Sequence, residues 1–151
     1  MAKKSKNIQY YEAVGRRKEA VARVRLYIVG KDKSASIKGE KIKQGSMMIN
    51  GKPYETYFGT LTEKKKLWRP LVVTNNTDRF AISVLVEGGG KNGQLEAIMH
   101  GVARSLSTAN TGEYRPILKQ HALLTRDPRT RERRMVGTGG KARRQKQSPK
   151  R

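Results

Sequence analysis

The final segment of the chain, residues 126–151, carries too much positive charge and too little apolar surface to build a core of its own. It contains eleven Lys and Arg residues against Asp127 and Glu132, a net charge of +9. Its only aliphatic residues are Met135, Val136 and Ala142. Because so little apolar burial cannot offset the entropy lost on ordering, we expect this segment to be disordered in the free protein.

The charge of the whole chain indicates a polyanionic partner. The 151 residues carry a formal net charge of +22, and residues 1–125 still carry +13 while holding every aromatic residue. A folded domain repels itself at such a charge, so a nucleic acid is the expected counterpart. We predict a short basic N-terminal extension (1–9), one domain (10–125) and an extended basic C-terminal tail (126–151), with no linker that divides the domain.

Composition also excludes several classes of protein. No apolar run approaches the roughly 20 residues that a membrane-spanning helix needs, and the basic residues near the N-terminus precede no hydrophobic stretch of a secretory signal. The chain has no Cys, which removes disulfides, thiolate chemistry and the usual zinc motifs. We expect no membrane partner and a cytoplasmic location.

In two stretches apolar residues occupy every second position, as in strands with one buried face. They run from Ala22 to Ile28 and from Phe80 to Val86. The shorter strand candidates are residues 10–14 and 47–50. A polar hairpin excursion is predicted over residues 30–45. Asn50-Gly51 predicts a tight turn.

Three helices are predicted, the first of them before the strand that begins at Phe80. Thr60 and Glu63 form a capping box that begins a basic helix, which Pro70 restarts or kinks. Apolar residues recur at helical spacing between Leu95 and Leu106, and residues 116–124 form a last short helix with Pro116 near its start. The resulting fold class is α+β, a small mixed β-sheet with helices packed on one face.

A glycine motif lies between the second strand and the long helix. Residues 88–93 satisfy G-x-G-x-x-G, and Glu113 follows at the spacing of a dinucleotide-binding fingerprint. However, one helix fills the interval in which the second strand of a βαβ unit should lie. We favour a loop whose backbone amides and Lys91 approach an RNA phosphate, with a flexible strand-to-helix turn as the alternative.

No catalytic or metal site can be assembled from local motifs. Ala142 follows Gly140-Lys141 where a phosphate loop needs Ser or Thr for magnesium. His100 follows Glu96 by four residues, but a zinc protease site needs a second His and a third ligand. His100 and His121 are expected to be surface or RNA-facing groups. We therefore expect no enzyme activity, no metal and no cofactor.

Six motifs in a specific order identify a resemblance that spans about residues 10–151. They are Val14–Lys18 with Ala22–Val24, Ile49–Pro53, Tyr57–Gly59, Val86–Gly90, Gly93–Arg104, and Thr125–Arg129 with a tail that closes on Lys150-Arg151. Together they resemble the family of small-subunit ribosomal protein nine, in its bacterial or organellar form. The segment 31–44 is longer than usual for the family, residues 138–140 depart from its pattern, and residues 145–149 lack its aromatic residue.

The resemblance implies both a fold and a location. The fold is that of the second domain of small-subunit ribosomal protein five. The location is the head of the small subunit, where the family binds the 3′ major domain of the ribosomal RNA beside neighbouring head proteins. An organellar ribosome is not excluded. The family's tail threads through RNA, and its tip reaches transfer RNA in the peptidyl site.

Candidate RNA-binding residues follow from this resemblance and from the charge of the tail. The resemblance implies ribosomal RNA contacts at Arg16, Arg17, Lys18, Lys141, Arg143 and Arg144, and transfer RNA contacts at Lys150 and Arg151. The tail's remaining cations are expected to bind ribosomal RNA phosphates, namely Arg126, Arg129, Arg131, Arg133 and Arg134. A small basic architectural DNA-binding protein is the competing hypothesis, but the chain has no evident arm or wedge pattern.

Overall fold

The computed structural model describes residues 3–5, 8–29, 34–37, 40–138 and 140. In this part of the chain the elements are, in order, β1 (Lys3–Ser5), β2 (Ile8–Arg17), β3 (Ala20–Ile28), β4 (Ser34–Ile37), β5 (Glu40–Lys43), β6 (Met47–Ile49), β7 (Lys52–Pro53), α1 (Tyr54–Tyr57), α2 (Leu61–Val73), β8 (Phe80–Glu87), α3 (Lys91–Ala109) and α4 (Thr111–Gln120). Strand β1 and the start of β2 fall within the segment expected to be an N-terminal extension.

The sheet is mixed, as predicted. Within the described residues its six strands follow the order β1-β2-β3-β8-β6-β7. Strands β6 and β8 are parallel, whereas the other neighbours are antiparallel. Helix α3 packs across β2 and β3, and α2 and α4 pack against α3. The predicted α+β class, with a small mixed sheet and packed helices, is confirmed.

The main core lies between the sheet and α3. Alternate residues of β3, from Ala22 through Val24 to Leu26, are fully buried on this side, as their period of two predicts. Helix α3 contributes Ile98, Val102 and other apolar residues at helical spacing. The strand and helix periods predicted from the sequence therefore meet in one apolar layer.

The opposite face of the sheet has a smaller core of its own. Tyr10, Tyr27 and Ala81 are cross-strand neighbours on β2, β3 and β8, and they pack with Ala35 and Ile42 of the β4–β5 hairpin. The hairpin in the 30–45 excursion is therefore confirmed, but it is not merely a polar excursion. Ala35 and Ile42 cover one end of the face that the helices leave open.

Two helices differ from the prediction at their prolines. Helix α2 continues through Pro70 to Val73, and the Thr74 hydroxyl donates to the Pro70 carbonyl at 2.9 Å. Helix α4 begins at Thr111, so Pro116 lies inside it rather than near its start. The Asn110 side chain caps α4 by accepting from the Glu113 amide at 3.3 Å. That cap places the helix start five residues earlier than Pro116 indicates.

The backbones of α3 and β2 touch where two glycines face each other. A Cβ atom on Gly15 would overlap the Ala97 carbonyl oxygen and the Gly101 backbone nitrogen. A Cβ atom on Gly101 would lie 2.7 Å from Cγ2 of Val24. Only glycine permits this close approach, which seats α3 directly on the hairpin that carries the basic residues 16–18.

We predict that Gly15→Ala lowers the free energy of unfolding by about 1–3 kcal/mol or more, because the added methyl forces α3 away from β2. Urea denaturation checks this value. Gly112→Ala is the matched control, since a Cβ atom there has its nearest neighbour at 3.8 Å and Ala favours a helix. An unchanged midpoint for Gly15→Ala contradicts the close approach.

Candidate nucleic-acid interface

The β2–β3 hairpin positions the first predicted RNA-binding cluster. Arg17 and Ala20 form the last pair of the ladder, and Lys18 turns the chain with a φ of 51°. Because side chains alternate along a strand, Arg17 points to the α3 side and Arg16 to the other side. Arg16 and Lys18 are exposed, whereas the Arg17 side chain is only 12% exposed.

Arg17 joins three parts of the chain through its guanidinium group. Its Nε donates to the carboxylate of Glu96 on α3, and its Nη2 lies 3.1 Å from the carboxylate of Asp127. Its Nη1 donates to the Arg129 carbonyl oxygen at 2.6 Å. We call this set of Arg17, Glu96, Asp127 and Arg129 the Arg17 clamp. It fixes the first residues of the predicted tail on the domain.

Asp127 is ionised within the clamp. Arg129 donates to this carboxylate from its side chain, with Nη2 at 2.7 Å, and from its backbone amide at 2.9 Å. These bonds, with the charge of Arg17, hold the pKa of Asp127 well below its usual range. The same carboxylate raises the pKa of Arg129. The guanidinium of Arg129 is thus engaged within the protein. The sequence had predicted Arg129 as a contact to ribosomal RNA.

His100 holds the chain just before the clamp. Its Nε2 lies 3.3 Å from the Leu124 carbonyl oxygen, and Leu123 beside it is buried in the core. Burial lowers the pKa of His100 below its usual value, and the charges of Arg104 and Arg126 lower it further. His100 is therefore half-buried and neutral at pH 7, whereas His121 is exposed; both were expected to be surface or RNA-facing groups.

Besides Arg17, four cations line a cavity of about 290 Å³ beside the clamp, which we call the helix–tail cavity. They are Arg16 from β2, Lys66 and Arg69 from α2, and Arg126 from the start of the tail. Sequence reasoning named Arg16 and Arg126 but missed Lys66 and Arg69. Their spacing of three residues, which places them on one side of a helix, was the available signal.

A second cavity, of about 660 Å³, lies on the other side of Arg17 and is bounded by the glycine loop 88–90. Lys18, Lys91 and Arg131 line it. Lys91 begins α3 as predicted, but its Nζ lies 3.1 Å from the Glu63 carboxylate. A phosphate at this helix N-terminus would compete with Glu63 for Lys91.

The glycine motif has a packing cause. Gly88 and Gly89 have φ values of 73° and 59°, and a Cβ atom on Gly88 would lie 2.5 Å from the Glu19 carbonyl oxygen. In the described part of the chain α4 follows α3 directly, and Glu113 lies in the first turn of α4. A dinucleotide fold needs a parallel strand there, so the fingerprint does not describe this site.

The remaining predicted residues lie along the tail. Arg131, Arg133 and Arg134 are exposed. Lys141, Arg143, Arg144, Lys150 and Arg151 lie outside the described residues. Within those residues no three His, Cys, Asp or Glu side chains gather into a metal site. Among the helices that the structure describes, none has the length and apolar character to cross a membrane.

Comparison with known proteins identifies the family. The family described as ribosomal protein S9/S16 matches residues 15–151. The small ribosomal subunit protein uS9 of Maridesulfovibrio salexigens is 42% identical over 136 residues, which are 90% of this chain and 92% of that protein. The chain belongs to the ribosomal protein S9/S16 family. It is therefore a structural protein of the small ribosomal subunit that serves translation, and it is not an enzyme.

We predict that the clamp protects the first tail residues from trypsin. In the S9/S16 protein at pH 8, cleavage after Arg133 and Arg134 should precede cleavage after Arg126 and Arg129. Arg17→Gln should remove that delay, because Asp127 and the Arg129 carbonyl lose their shared donor. Mass spectrometry of timed digests measures the order of cleavage.

Arg23→Gln, on the exposed side of neighbouring β3, is the matched control and should leave the digestion order unchanged. The ionised state of Asp127 at this pH is assured, since its depressed pKa keeps the carboxylate charged throughout the range above its ordinary value. Early cleavage after Arg126 in the unmodified protein contradicts the clamp.

Proposed function

We propose that this S9/S16 protein binds the 3′ major domain of small-subunit ribosomal RNA, in the head of the subunit, through the surface around the Arg17 clamp and through its basic tail. The helix–tail cavity carries the proposal, because it gathers cations from β2, α2 and the start of the tail. The proposed units are a short basic N-terminal extension (1–9), an RNA-binding domain (10–125) and an extended basic C-terminal tail (126–151). Neighbouring head proteins are the further proposed partners.

The charge in the helix–tail cavity is available to a phosphate. Glu96 and Asp127 also line it, but both carboxylates are engaged by Arg17. Among the described residues, no carboxylate lies within ion-pair distance of Arg16, Lys66 or Arg69. Cations without internal partners gain most from phosphate contacts and counterion release. This supports Arg16, Lys66, Arg69 and Arg126 as one phosphate-binding surface.

The tail extends this surface away from the domain. The clamp holds the tail up to Arg129, and the 22 residues beyond it reach at most about 73 Å if fully extended, at roughly 3.3 Å per residue. Such a strand can enter packed RNA where a globular domain cannot fit. Its proposed ribosomal RNA contacts are Arg131, Arg133, Arg134, Lys141, Arg143 and Arg144, with Arg129 contributing only the donors that Asp127 leaves free. Lys18 and Lys91 are proposed contacts beside the glycine loop.

The tip of the tail is the proposed contact with peptidyl-site transfer RNA. The proposed contacts are Lys150 and Arg151, two adjacent cations of the tail. A favourable arrangement directs the guanidinium fork of Arg151 onto a phosphate. The family resemblance supports transfer RNA as the partner at this end.

We predict that both surfaces contribute to the salt dependence of binding to a head-domain RNA fragment. The slope of log K against log salt is about −0.7 to −0.9 per phosphate neutralised. Truncation after Arg131, which keeps the clamp, should flatten the slope by several such units. Lys66→Gln with Arg69→Gln should flatten it by about 1.4–1.8 if both side chains contact phosphates.

The matched control for the double variant is Arg115→Gln with Lys119→Gln, which removes the same charge from exposed positions of α4. Filter binding across a salt series measures all four slopes. Equal slopes for the two double variants would exclude the helix–tail cavity as a phosphate site. An unchanged slope after truncation would confine the contacts to the domain.

We predict that removal of Lys150 and Arg151 alone leaves subunit assembly nearly intact and weakens peptidyl-site transfer RNA binding. The expected loss is about 1–3 kcal/mol, the range for a few charge-assisted hydrogen bonds, and it should shrink as salt or magnesium rises. Transfer RNA affinity of reconstituted small subunits measures it. Arg133→Gln with Arg134→Gln removes the same charge near the tail base and should affect ribosomal RNA binding instead. Equal transfer RNA affinities at low salt, for subunits with the full-length protein and with the protein that lacks Lys150 and Arg151, would contradict the proposed tip contact.

A further inference from the structure

Helix α2 carries a second apolar stripe besides the one that enters the core. Its core side consists of Leu67, Pro70 and Leu71. On another side, Leu61 is 74% exposed and Val72 is 56% exposed, with Trp68 half-buried between them. Spacings of seven and four residues place these three side chains along one line of the helix. Trp68 also packs against the main core, whereas Leu61 and Val72 keep most of their surface exposed, so this stripe can contact a partner.

The second stripe contains a recess of about 400 Å³ around Trp68. Its apolar lining is Trp68, Val72 and Val73, and its charged residues are Lys64, Lys65 and Arg69. The Trp68 ring meets the ring of Tyr54 edge-on, with centroids 5.4 Å apart. This contact fixes the indole in place, so a flat ligand would meet a preformed aromatic surface.

We propose that the recess binds an unpaired base of the ribosomal RNA, stacked against Trp68, with the flanking phosphates on Lys64, Lys65 and Arg69. This inference rests on the proposed RNA-binding function and adds a base contact to it. An indole with cations on the same helix matches a nucleotide, since every base offers a π face and every linkage a negative charge. RNA presents such bases in loops, bulges and single strands.

The position of Arg69 favours RNA over an acidic protein segment as the occupant. Arg69 lines both the recess and the helix–tail cavity, and Lys66 on the same helix lines that cavity. A strand whose phosphates bind Lys66 and Arg69 can therefore continue to Trp68. An acidic segment of a neighbouring protein matches the charge of the rim but not this continuity.

Trp68 reports on its own occupancy, because it is the only Trp in the chain. Its fluorescence can be followed in the full-length protein as single-stranded RNA or a fully paired duplex of equal length is added. Anisotropy of labelled RNA, measured in parallel, gives the bound fraction. At equal bound fraction we expect single-stranded RNA to quench Trp68 strongly and the duplex to quench it little.

Each other outcome has a distinct meaning. Equal quenching by both RNAs at equal bound fraction means that proximity alone affects Trp68, and it overturns the stacking proposal. Binding of RNA without a change in Trp68 emission overturns it too, while leaving the proposed RNA-binding function standing. Failure of both RNAs to bind overturns the proposed function itself.

Affinity measurements on variants provide an independent test. Trp68→Leu keeps an apolar side chain against Tyr54 and removes the π surface, so it should reduce affinity for single-stranded RNA on the order of 10-fold. Trp68→Phe, which keeps an aromatic ring, should retain most of the affinity that Trp68→Leu loses. Leu61→Ala, on the same stripe but outside the recess, should leave the affinity unchanged. Equal affinities for Trp68→Leu and the unmodified protein overturn the proposal.

Discussion

A nearly buried guanidinium organises the functional side of this protein. The Arg17 side chain is 12% exposed and reaches carboxylates on α3 and in the tail. A charge removed from water is destabilising unless it is paired and hydrogen-bonded. Since Glu96 alone leaves the other guanidinium nitrogens unpaired, the chain must return through Asp127 and Arg129 to satisfy them. The start of the tail is therefore part of the folded domain, although the tail as a whole has almost no apolar surface.

Acidic residues in this family member serve to position cations rather than to neutralise the protein. The chain has 12 acidic residues against 34 basic ones, too few to balance the charge. Glu12 pairs with Arg25 across two strands, Glu63 with Lys91, and Glu96 and Asp127 with Arg17. The paired cations become structural, and those left without such partners face outward. The distribution of carboxylates thus determines where the protein presents positive charge.

Periodicity predicted the framework of the fold, because burial against one layer repeats at fixed intervals. Strands β3 and β8 and helix α3 followed from it, whereas the short elements β1, β7 and α1 were not predicted. Adjacent Arg16 and Arg17 were both predicted to contact ribosomal RNA. They face opposite sides of β2, and only tertiary packing distinguishes them. The same limit applies to Pro70, which α2 tolerates within its helix, and to Ala35 and Ile42, whose burial depends on a distant sheet face. Lys66 and Arg69 were missed because their cavity forms only when the tail returns to α2.

The clamp also affects how the tail could reach the proposed RNA partner. A tail attached flexibly at the edge of the domain would sample every direction. Its binding would then cost all of that conformational entropy. Attachment at Asp127 and Arg129, next to the cations of the helix–tail cavity, directs the first tail residues along the proposed RNA surface. Once the domain docks, tail binding becomes an intramolecular step whose effective concentration depends on the remaining length. Because the clamp removes the first residues from that search before RNA is met, part of the ordering entropy is lost during folding rather than during binding.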